Sequence, residues 1–395
     1  MPIQQMFLGL GAAFNFNRYI WGRNYGDGNG QLGLNDGPND TYSGTNSGSR
    51  SSPTLLTGAD SDWVGTFTHG MRATMGTRED GTLWAWGSNT YGILGQSQPL
   101  PTSRSSPTQI PGTTWSGAYN HVNGSGQNYS AHRIKTDGTL WAWGNNPNAQ
   151  LGTNNETYYS SPVQIPGTTW SAVKGLMYRT YATKTDGTLW AWGQNSDGAL
   201  GVGNQTNYSS PKQIPGTTWT SNLVATKGGG ACLRNDGTLW QWGKSDNGVL
   251  GQGSSTPHKN SPIQVGSDTT WAKIAGDKSK DTMYGIKTDG TLWAWGLGNN
   301  GQLAQNNLTS YSSPKQIPGT NWDIVRSADA VTAAIKTDGS LWFWGSNNDG
   351  KMGAGFALAQ QYGYSSPNQV GSATGWQSDT LSIGQYVVSA TLKEV

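Results

Sequence analysis

One pattern of eight residues returns six times along the chain, at intervals close to 50 residues. Its first copy reads Asp-Gly-Thr-Leu-Trp-Ala-Trp-Gly over residues 80–87, and the later copies begin at Asp137, Asp186, Asp236, Asp289 and Asp338. Each copy continues into an Asn/Gly-rich turn with a Leu-Gly-like pair, then a Ser-Pro pair, then a single Trp. Repeats of this length are typical of propeller blades or of long solenoid units.

The Ser-Pro and single-Trp part occurs seven times, once more than the Asp-Gly part. The chain ends supply the missing pieces, because residues 19–33 match the second half of a repeat and residues 382–395 match the first half. A closed ring gains from such a split, since the first strand then covers a free edge of the last blade. The sequence therefore predicts an all-β fold, a single closed seven-bladed β-propeller over residues 15–395. Its last blade is split between about 15–52 and 367–395 and is completed by the N-terminal strand.

The local sequence favours strands over helices. In each copy an Asp-Gly pair separates two β-rich runs, which is the strongest short-range signal of a hairpin. Alternation along residues 83–86 places both Trp on one face of the strand and Leu with Ala on the other, so both faces are apolar. Strands covered on both faces fit blades stacked between neighbours.

Taken together, the Asp-Gly turn, the Leu-Trp-x-Trp-Gly strand and the Asn-x-x-Gly-x-Leu-Gly tail resemble the regulator of chromosome condensation repeat. The resemblance covers roughly residues 15–395. It implies a seven-bladed propeller of four-stranded blades. The family includes guanine-nucleotide exchange factors, ubiquitin-ligase modules and proteins of other roles, so the resemblance is specific for the fold and not for the function.

Composition argues against several classes of protein. Only 12% of the 395 residues are charged and the net charge is +2, so no nucleic-acid or membrane binding through net charge is expected. A single Cys excludes a disulfide scaffold and a thiolate metal cluster. No apolar run approaches the roughly 20 residues that cross a bilayer. The apolar N-terminus has no basic residue before its hydrophobic part, so neither a membrane span nor a secretory signal is expected.

The repeat also accounts for the residues that most suggest ligand chemistry. All 20 Trp fall at repeat positions, which predicts packing elements of the blades. Each Asp of an Asp-Gly pair is expected to form its turn, and the other acidic residues are scattered. The four His share no repeat position, and Cys232 aligns with small strand residues and is expected to be buried and inert. We therefore expect no catalytic residues, no metal site and no cofactor, and predict that the protein is not an enzyme.

One repeated charge is a candidate site. A cation stands two residues before each Asp-Gly pair and at the equivalent place in the split blade: Arg78, Lys135, Lys184, Arg234, Lys287, Lys336 and Lys393. In equivalent blades these side chains would form a ring at one radius of the propeller. They are interpreted either as solvated strand ends paired with the nearby turn Asp, or as a basic ring that binds an anionic partner.

The loops that differ between blades are the second candidate, because function in such folds is carried by loops on a rigid scaffold. The most variable segment lies between the Leu-Gly pair and Ser-Pro, and it contains a recurrent Tyr: Tyr42, Tyr158, Tyr159, Tyr208, Tyr311, Tyr362 and Tyr364. Tyr among Asn, Ser and Gly is typical of recognition loops. The alternative is that each Tyr packs on the edge of its blade.

The third candidate is an N-terminal arm, residues 1–14, which matches no repeat. Its apolar residues are Ile3, Met6, Phe7, Leu8 and Leu10. An apolar extension from a closed ring must fold back over it or dock on another surface. In style the arm resembles those of bacteriophage virion components, which fix a host-facing domain to the particle.

These features predict a non-enzymatic binding or structural module. The specific hypothesis is a phage virion surface or tail-associated protein, attached by its arm and recognising a virion neighbour or a host surface component with its loops. Its location would then be the virion surface. The alternative is guanine-nucleotide exchange or another regulatory action on a protein partner. A third hypothesis, an enzyme in the central funnel, has few candidate residues.

Overall fold

The computed structural model describes residues 16–22, 32, 50–55, 62–69, 73–97, 103–116, 121–123, 130–253, 257–277, 279–347, 352, 363–384 and 387–393. Over these residues the chain forms 28 strands in seven antiparallel sheets of four strands each. Each sheet is one blade of a propeller, so the predicted all-β, seven-bladed fold is confirmed. No helix in these ranges is both long and apolar enough to cross a membrane.

The strands are numbered in chain order. The first fourteen are β1 (Phe16–Gly22), β2 (Arg50–Leu55), β3 (Trp63–His69), β4 (Ala73–Arg78), β5 (Leu83–Gly87), β6 (Arg104–Ile110), β7 (His121–Asn123), β8 (Ser130–Ile134), β9 (Leu140–Gly144), β10 (Tyr159–Ile165), β11 (Trp170–Leu176), β12 (Arg179–Lys184), β13 (Leu189–Gly193) and β14 (Tyr208–Ile214). The others are β15 (Trp219–Ala225), β16 (Gly229–Arg234), β17 (Leu239–Gly243), β18 (Lys259–Gln264), β19 (Trp271–Gly276), β20 (Thr282–Lys287), β21 (Leu292–Gly296), β22 (Tyr311–Gln316), β23 (Trp322–Ala328), β24 (Val331–Lys336), β25 (Leu341–Gly345), β26 (Tyr364–Gln369), β27 (Ser382–Ile383) and β28 (Val387–Lys393). Within the described ranges, four single turns of 3-10 helix lie at Thr90–Gly92, Ser196–Gly198, Asp246–Gly248 and Ser378–Thr380.

Six blades are continuous in sequence and the seventh is not. Blades 1 to 6 are β3–β6, β7–β10, β11–β14, β15–β18, β19–β22 and β23–β26, whereas blade 7 has the order β27-β28-β1-β2. In blade 7, β1 pairs with β28 in unbroken register, from Phe16 opposite Lys393 to Gly22 opposite Val387. The N-terminal strand therefore completes the last blade, as predicted, and removes an open edge.

The first strand of each blade lies nearest the axis, and these strands contact one another around the ring, including β27 with β3. The second and third strands of a blade meet at the Asp-Gly turn on one side of the ring, which we call the hairpin face. The other side, which we call the loop face, carries the long connections between third and fourth strands. Repeated turns and variable loops are thus separated onto opposite faces.

The Asp-Gly turn explains why its sequence repeats. In blade 3, Asp186 Oδ1 accepts hydrogen bonds from the backbone N–H of Thr188 at 2.9 Å and from its hydroxyl at 2.7 Å. These bonds lower the pKa of Asp186. The Thr188 hydroxyl accepts the indole N–H of Trp190 at 2.8 Å, and the Gly187 carbonyl accepts the N–H of Trp219, the first residue of blade 4, at 3.0 Å. The turn therefore fixes its own hairpin and its contact with the next blade.

The second Trp of the third strand joins each blade to the one before it. These Trp side chains are fully buried in all six blades that carry the pattern: Trp86, Trp143, Trp192, Trp242, Trp295 and Trp344. In blade 3, the indole N–H of Trp192 donates to the carbonyl of Gln150 in blade 2 at 2.9 Å. The following Gly193 has φ of 99°, and a Cβ there would lie 2.1 Å from the Tyr178 carbonyl oxygen, so only glycine fits.

Candidate functional site

The predicted basic residues of blades 1 to 6 lie between two Trp rings each. In blade 3, the Lys184 ammonium lies 4.7 Å from the ring centroid of Trp170 and 4.8 Å from that of Trp190. The corresponding distances over all six blades run from 4.0 to 5.1 Å. Strand pairing sets this geometry, because Trp170 is directly opposite Lys184. Lys393 of blade 7 ends β28.

The cation of each Trp-cation-Trp stack is partly buried. Two of the cations also form ion pairs on the hairpin face, Lys287 with Asp268 at 2.5 Å and Arg78 with Asp62 at 3.6 Å. The Lys287 ammonium helps to lower the pKa of Asp268 to about 2, against the opposing effect of burial. The stacks give these cations a role within the blade, and binding of an anionic partner by the ring stays a prediction.

Replacing Lys184 by Met should lower the free energy of unfolding by about 1 kcal/mol, because the stack loses its cation–π attraction while an apolar chain of similar length remains. Replacing Lys184 by Arg should change it by less than about 0.5 kcal/mol, since Arg234 occupies the same stack in blade 4. Urea unfolding followed by Trp fluorescence measures both. Equal stability of the Met variant and the unmodified protein would contradict a contribution from the charge.

The candidate Tyr residues separate into different environments. Tyr159, Tyr208 and Tyr311 begin the fourth strands of blades 2, 3 and 5 and pack against core clusters. Each of their hydroxyls accepts a hydrogen bond from an Asn side chain four residues earlier, at 3.0 to 3.1 Å. Tyr364 begins the fourth strand of blade 6 and packs against the clusters that blade 6 shares with blades 5 and 7, but Tyr158 has 54% of its surface exposed. Tyr42, Tyr362 and the arm residues Ile3, Met6, Phe7, Leu8 and Leu10 lie outside the described residues.

The loop face is held rigid by buried Asn side chains. In blade 3 the fully buried Asn195 accepts the N–H of Leu200 at 2.8 Å and donates to the carbonyls of Asn204 at 2.9 Å and Thr206 at 3.0 Å. Asn146 makes the same set of contacts in blade 2. The described loops of blades 1 to 5 also contact the next blade; in blade 3, for example, the Gly203 N–H donates to the Asn260 carbonyl of β18 at 2.6 Å. The loops are thus fixed in shape.

A third location is the central channel, a cavity of about 410 Å³ lined by the first strands of blades 1 and 3 to 7. Its lining includes Lys174 on β11, Lys273 on β19 and Arg326 on β23. Lys273 binds the carboxylate of Asp323 and donates to its carbonyl at 2.8 Å. Analysis of the repeat misses these residues because they recur in no other blade. A sequence pattern that could have pointed to Lys174 and Arg326 is a cation four residues after the single Trp, which occurs in blades 3 and 6.

The sequence matches the regulator of chromosome condensation (RCC1) repeat over residues 80–116, 137–174, 186–226 and 289–330. The chain carries RCC1 repeats. Each matched segment starts at an Asp-Gly turn and runs through the third and fourth strands of one blade. Three of the four segments continue into the first strand of the next blade, and the segment 80–116 ends just before β7. The RCC1 repeat is therefore offset from the blade, so that every unit links two neighbouring blades, and the ring closes by a blade shared between the chain ends.

Known proteins with similar sequence or structure agree with this fold. "Regulator of chromosome condensation" of Xenopus laevis is 35% identical over 105 residues, 27% of this chain and 23% of that protein. The match thus spans about a quarter of that relative's length.

Yeast RCC1 (Prp20) bound to Kap60 superposes with a TM-score of 0.80 at 15% identity, covering 97% of this chain and 90% of its own. Human WBSCR16 gives 0.78 at 19% identity, covering 96% and 99%. A further structure of Prp20p from Saccharomyces cerevisiae, described with its binding to Gsp1p and histones, gives 0.79 at 15% identity and covers 97% of this chain and 93% of its own. These structural likenesses show the fold alone.

Several titratable groups in the RCC1-repeat propeller are buried for structural reasons. Cys232 is buried on β16, and burial raises the pKa of its thiol, which makes it a poor nucleophile. In the described ranges no three His, Cys, Asp or Glu side chains come together as a metal site. His132 on β8 is fully buried, with Nε2 donating to the Gln150 carbonyl at 3.1 Å and its ring against Trp192.

His132 makes the RCC1-repeat propeller sensitive to acid. Burial lowers the pKa of its imidazole from 6.5 to about 4, so the unfolded chain binds a proton that the folded protein excludes. The neutral His132 imidazole therefore contributes fully to the free energy of unfolding above pH 6.5. This contribution, about 3 kcal/mol in total, is lost as the pH falls from 6.5 towards 4. We expect the stability difference between the unmodified protein and His132→Gln to shrink by about 2 to 3 kcal/mol between pH 7.5 and pH 4.5 in urea unfolding. A difference that does not change with pH would contradict a neutral buried imidazole.

Proposed function

We propose that this RCC1-repeat propeller is a non-enzymatic module that binds a protein partner through its loop face. One observation supports this surface above the others. The large apolar side chains that are exposed within the described ranges are Tyr91, Tyr158 and Leu308, at 39%, 54% and 61% of their surface, and all three lie in connections between third and fourth strands. Apolar and aromatic side chains exposed on one face favour protein recognition.

The hairpin face also favours the loop face as the binding surface, because its repeated side chains are already engaged within the propeller. There the Asp, Thr, Trp and cation of each repeat are engaged within the blade or with its neighbour. On the loop face the buried Asn side chains fix the loop backbones, so binding would order few residues and lose little conformational entropy. Among the similar structures described above, yeast RCC1 (Prp20) is bound to Kap60, and Prp20p is described with its binding to Gsp1p and histones, which is consistent with a binding module.

Photo-crosslinking tests which face binds. A photoreactive amino acid placed at Tyr158 reports on the loop face, and the same residue at the exposed Thr168 is the matched control on the hairpin face. We expect a discrete crosslinked partner from Tyr158 and none from Thr168. Crosslinking from Thr168 alone would contradict the assignment of the loop face.

The more specific part of the proposal is a phage virion protein whose partner is a virion neighbour or a host surface component. It rests on the apolar sequence of residues 1–14, which would attach the propeller to the particle. Deleting residues 2–13 should abolish incorporation into particles and leave the melting temperature unchanged. Incorporation of the shortened chain would overturn this part and leave the loop-face proposal standing.

The alternative is guanine-nucleotide exchange on a small GTPase. The observation in its favour is the sequence match with the Xenopus laevis protein named "Regulator of chromosome condensation". A nucleotide-release assay with a panel of GTPases tests it directly. Accelerated release by the unmodified protein, weakened by Tyr158→Ser with Leu308→Ser, would favour exchange activity at the loop face over a purely structural role.

A further inference from the structure

One buried cation of blade 2 has no counterpart in the other blades. Arg133 on β8 pairs with Trp141, the first Trp of its third strand. In the other six blades the residue opposite the corresponding Trp, or opposite Tyr19 in blade 7, is small: Gly76, Ala182, Cys232, Gly285, Ala334 and Ala390. The packing of a blade therefore requires no charge at this position.

The charge of Arg133 is buried without a counter-ion in the described part of the chain. The residue is only 2% exposed. Its guanidinium donates to the Thr68 hydroxyl of blade 1, and its fully buried Nε–H has no acceptor. Burial lowers its pKa to about 9, so the side chain is still cationic at neutral pH. A buried cation is costly unless an anion lies nearby, so this environment favours a negative charge close to Arg133.

Thr68 connects this charge to the central channel. It lies on β3 and lines the channel cavity, and Arg133 stands behind it in the neighbouring blade. Because the Thr68 oxygen accepts the hydrogen bond from Arg133, the proton of its own hydroxyl is left to donate towards the channel. Successive hydrogen bonds polarise one another, so the cation makes this hydroxyl a stronger donor.

The rest of the channel wall does not supply the negative charge. The described lining residues include no carboxylate. Three cations also line the cavity, but Lys273 is paired with Asp323, and Lys174 and Arg326 are engaged in other interactions, so none of them is counted in the site. The cavity of about 410 Å³ is large compared with the share of one water molecule, about 30 Å³. It therefore has room for a small ion together with part of its hydration water.

We propose that the central channel binds a small monovalent anion of the size of chloride at the Thr68 hydroxyl, with Arg133 as its counter-charge. One unit of negative charge balances the one buried guanidinium, whereas a divalent ion would bring a second charge with no matching buried cation. The bound ion would strengthen the contact between blades 1 and 2 through the bond from Arg133 to Thr68. This site goes beyond the proposed function, because it uses the inner strands and not the loop face.

Chloride NMR tests the proposal directly, because a chloride ion bound to a protein relaxes fast and broadens the resonance of the exchanging pool. The unmodified protein should give a broadening that saturates with sodium chloride at one site per chain. Arg133→Met should weaken this binding about tenfold, because a hydrogen bond to a charged group is lost along with the charge. The matched control is Lys212→Met, which removes the same charge from an exposed position on β14 and should leave the affinity unchanged. Absence of saturable broadening, or equal weakening in both variants, would overturn the site.

Urea unfolding separates ion binding from a purely structural role of Arg133. An anion that binds only the folded protein stabilises it as the ion concentration rises. At ionic strength held constant with sodium gluconate, we expect the urea midpoint of the unmodified protein to rise with chloride. Thr68→Ser should keep this rise and Thr68→Val should lose it, because only Ser retains the hydroxyl. Near-UV circular dichroism verifies that each variant is folded. The same chloride dependence in Thr68→Val and the unmodified protein would contradict the proposal.

Discussion

Replacing Asp277 by Asn should lower the free energy of unfolding by about 3 to 5 kcal/mol. The Asp277 carboxylate is fully buried on the loop side of β19. Its Oδ1 accepts the backbone N–H groups of Ser279, Lys280 and Asp329 at 2.8, 3.0 and 3.1 Å. Its Oδ2 accepts the Ser327 hydroxyl and the Ala330 N–H, both at 2.8 Å. The carboxylate thus joins the turn of blade 5 to that of blade 6.

An Asn at this position cannot satisfy these donors. Whichever oxygen becomes an NH₂ group, at least two hydrogen-bond donors then face a donor in a buried site, and each unsatisfied group costs about 1 to 3 kcal/mol. Asp289→Asn is the matched control, because the exposed turn Asp289 uses one oxygen to bind Thr291 and an amide oxygen can replace it. We expect less than about 1 kcal/mol there. Urea unfolding of both variants gives the comparison, and a similar loss at both positions would contradict a specific role for Asp277.

The sequence was sufficient to predict what every blade repeats. Asp186, Gly187 and Thr188 form a turn by contacts within five residues, so their chemistry is local and readable. The split blade could also be predicted, because each chain end carries a recognisable half of the repeat. The stacking of Lys184 between Trp170 and Trp190 was not, since it requires the register of β11 against β12, although all three residue types recur at fixed positions.

What the sequence could not predict is what single blades do differently. Lys174 and Arg326 occupy a strand position that holds Thr68, Val224 and Ala275 in blades 1, 4 and 5. A search for residues that recur in every blade therefore does not find them. The sequence analysis also placed Tyr158 and Tyr159 in one set and could not tell their environments apart. Neighbours on a strand edge point to opposite sides, and here one is exposed while the other packs on the blade.

Replacing Trp192 by Ala should cost about 3 to 5 kcal/mol of unfolding free energy. The indole is fully buried, lies 6.0 Å from Trp170 and 6.2 Å from His132 between ring centroids, and donates to the Gln150 carbonyl. The loop of blade 2 approaches it closely, since a Cβ on Gly152 would lie 2.6 Å from its Nε1 atom.

The half-exposed Trp190 is the matched control on the same strand. Its replacement by Ala should cost less, because it loses one stacked cation and a hydrogen bond to Thr188 without opening a cavity between blades. Urea unfolding and loss of near-UV circular dichroism measure both variants. Since Trp192 binds blade 3 to blade 2, its loss should also uncouple their unfolding and broaden the transition. A sharp transition at unchanged midpoint would show that the ring is not held together by these buried Trp side chains, and the packing account of the repeat would fail.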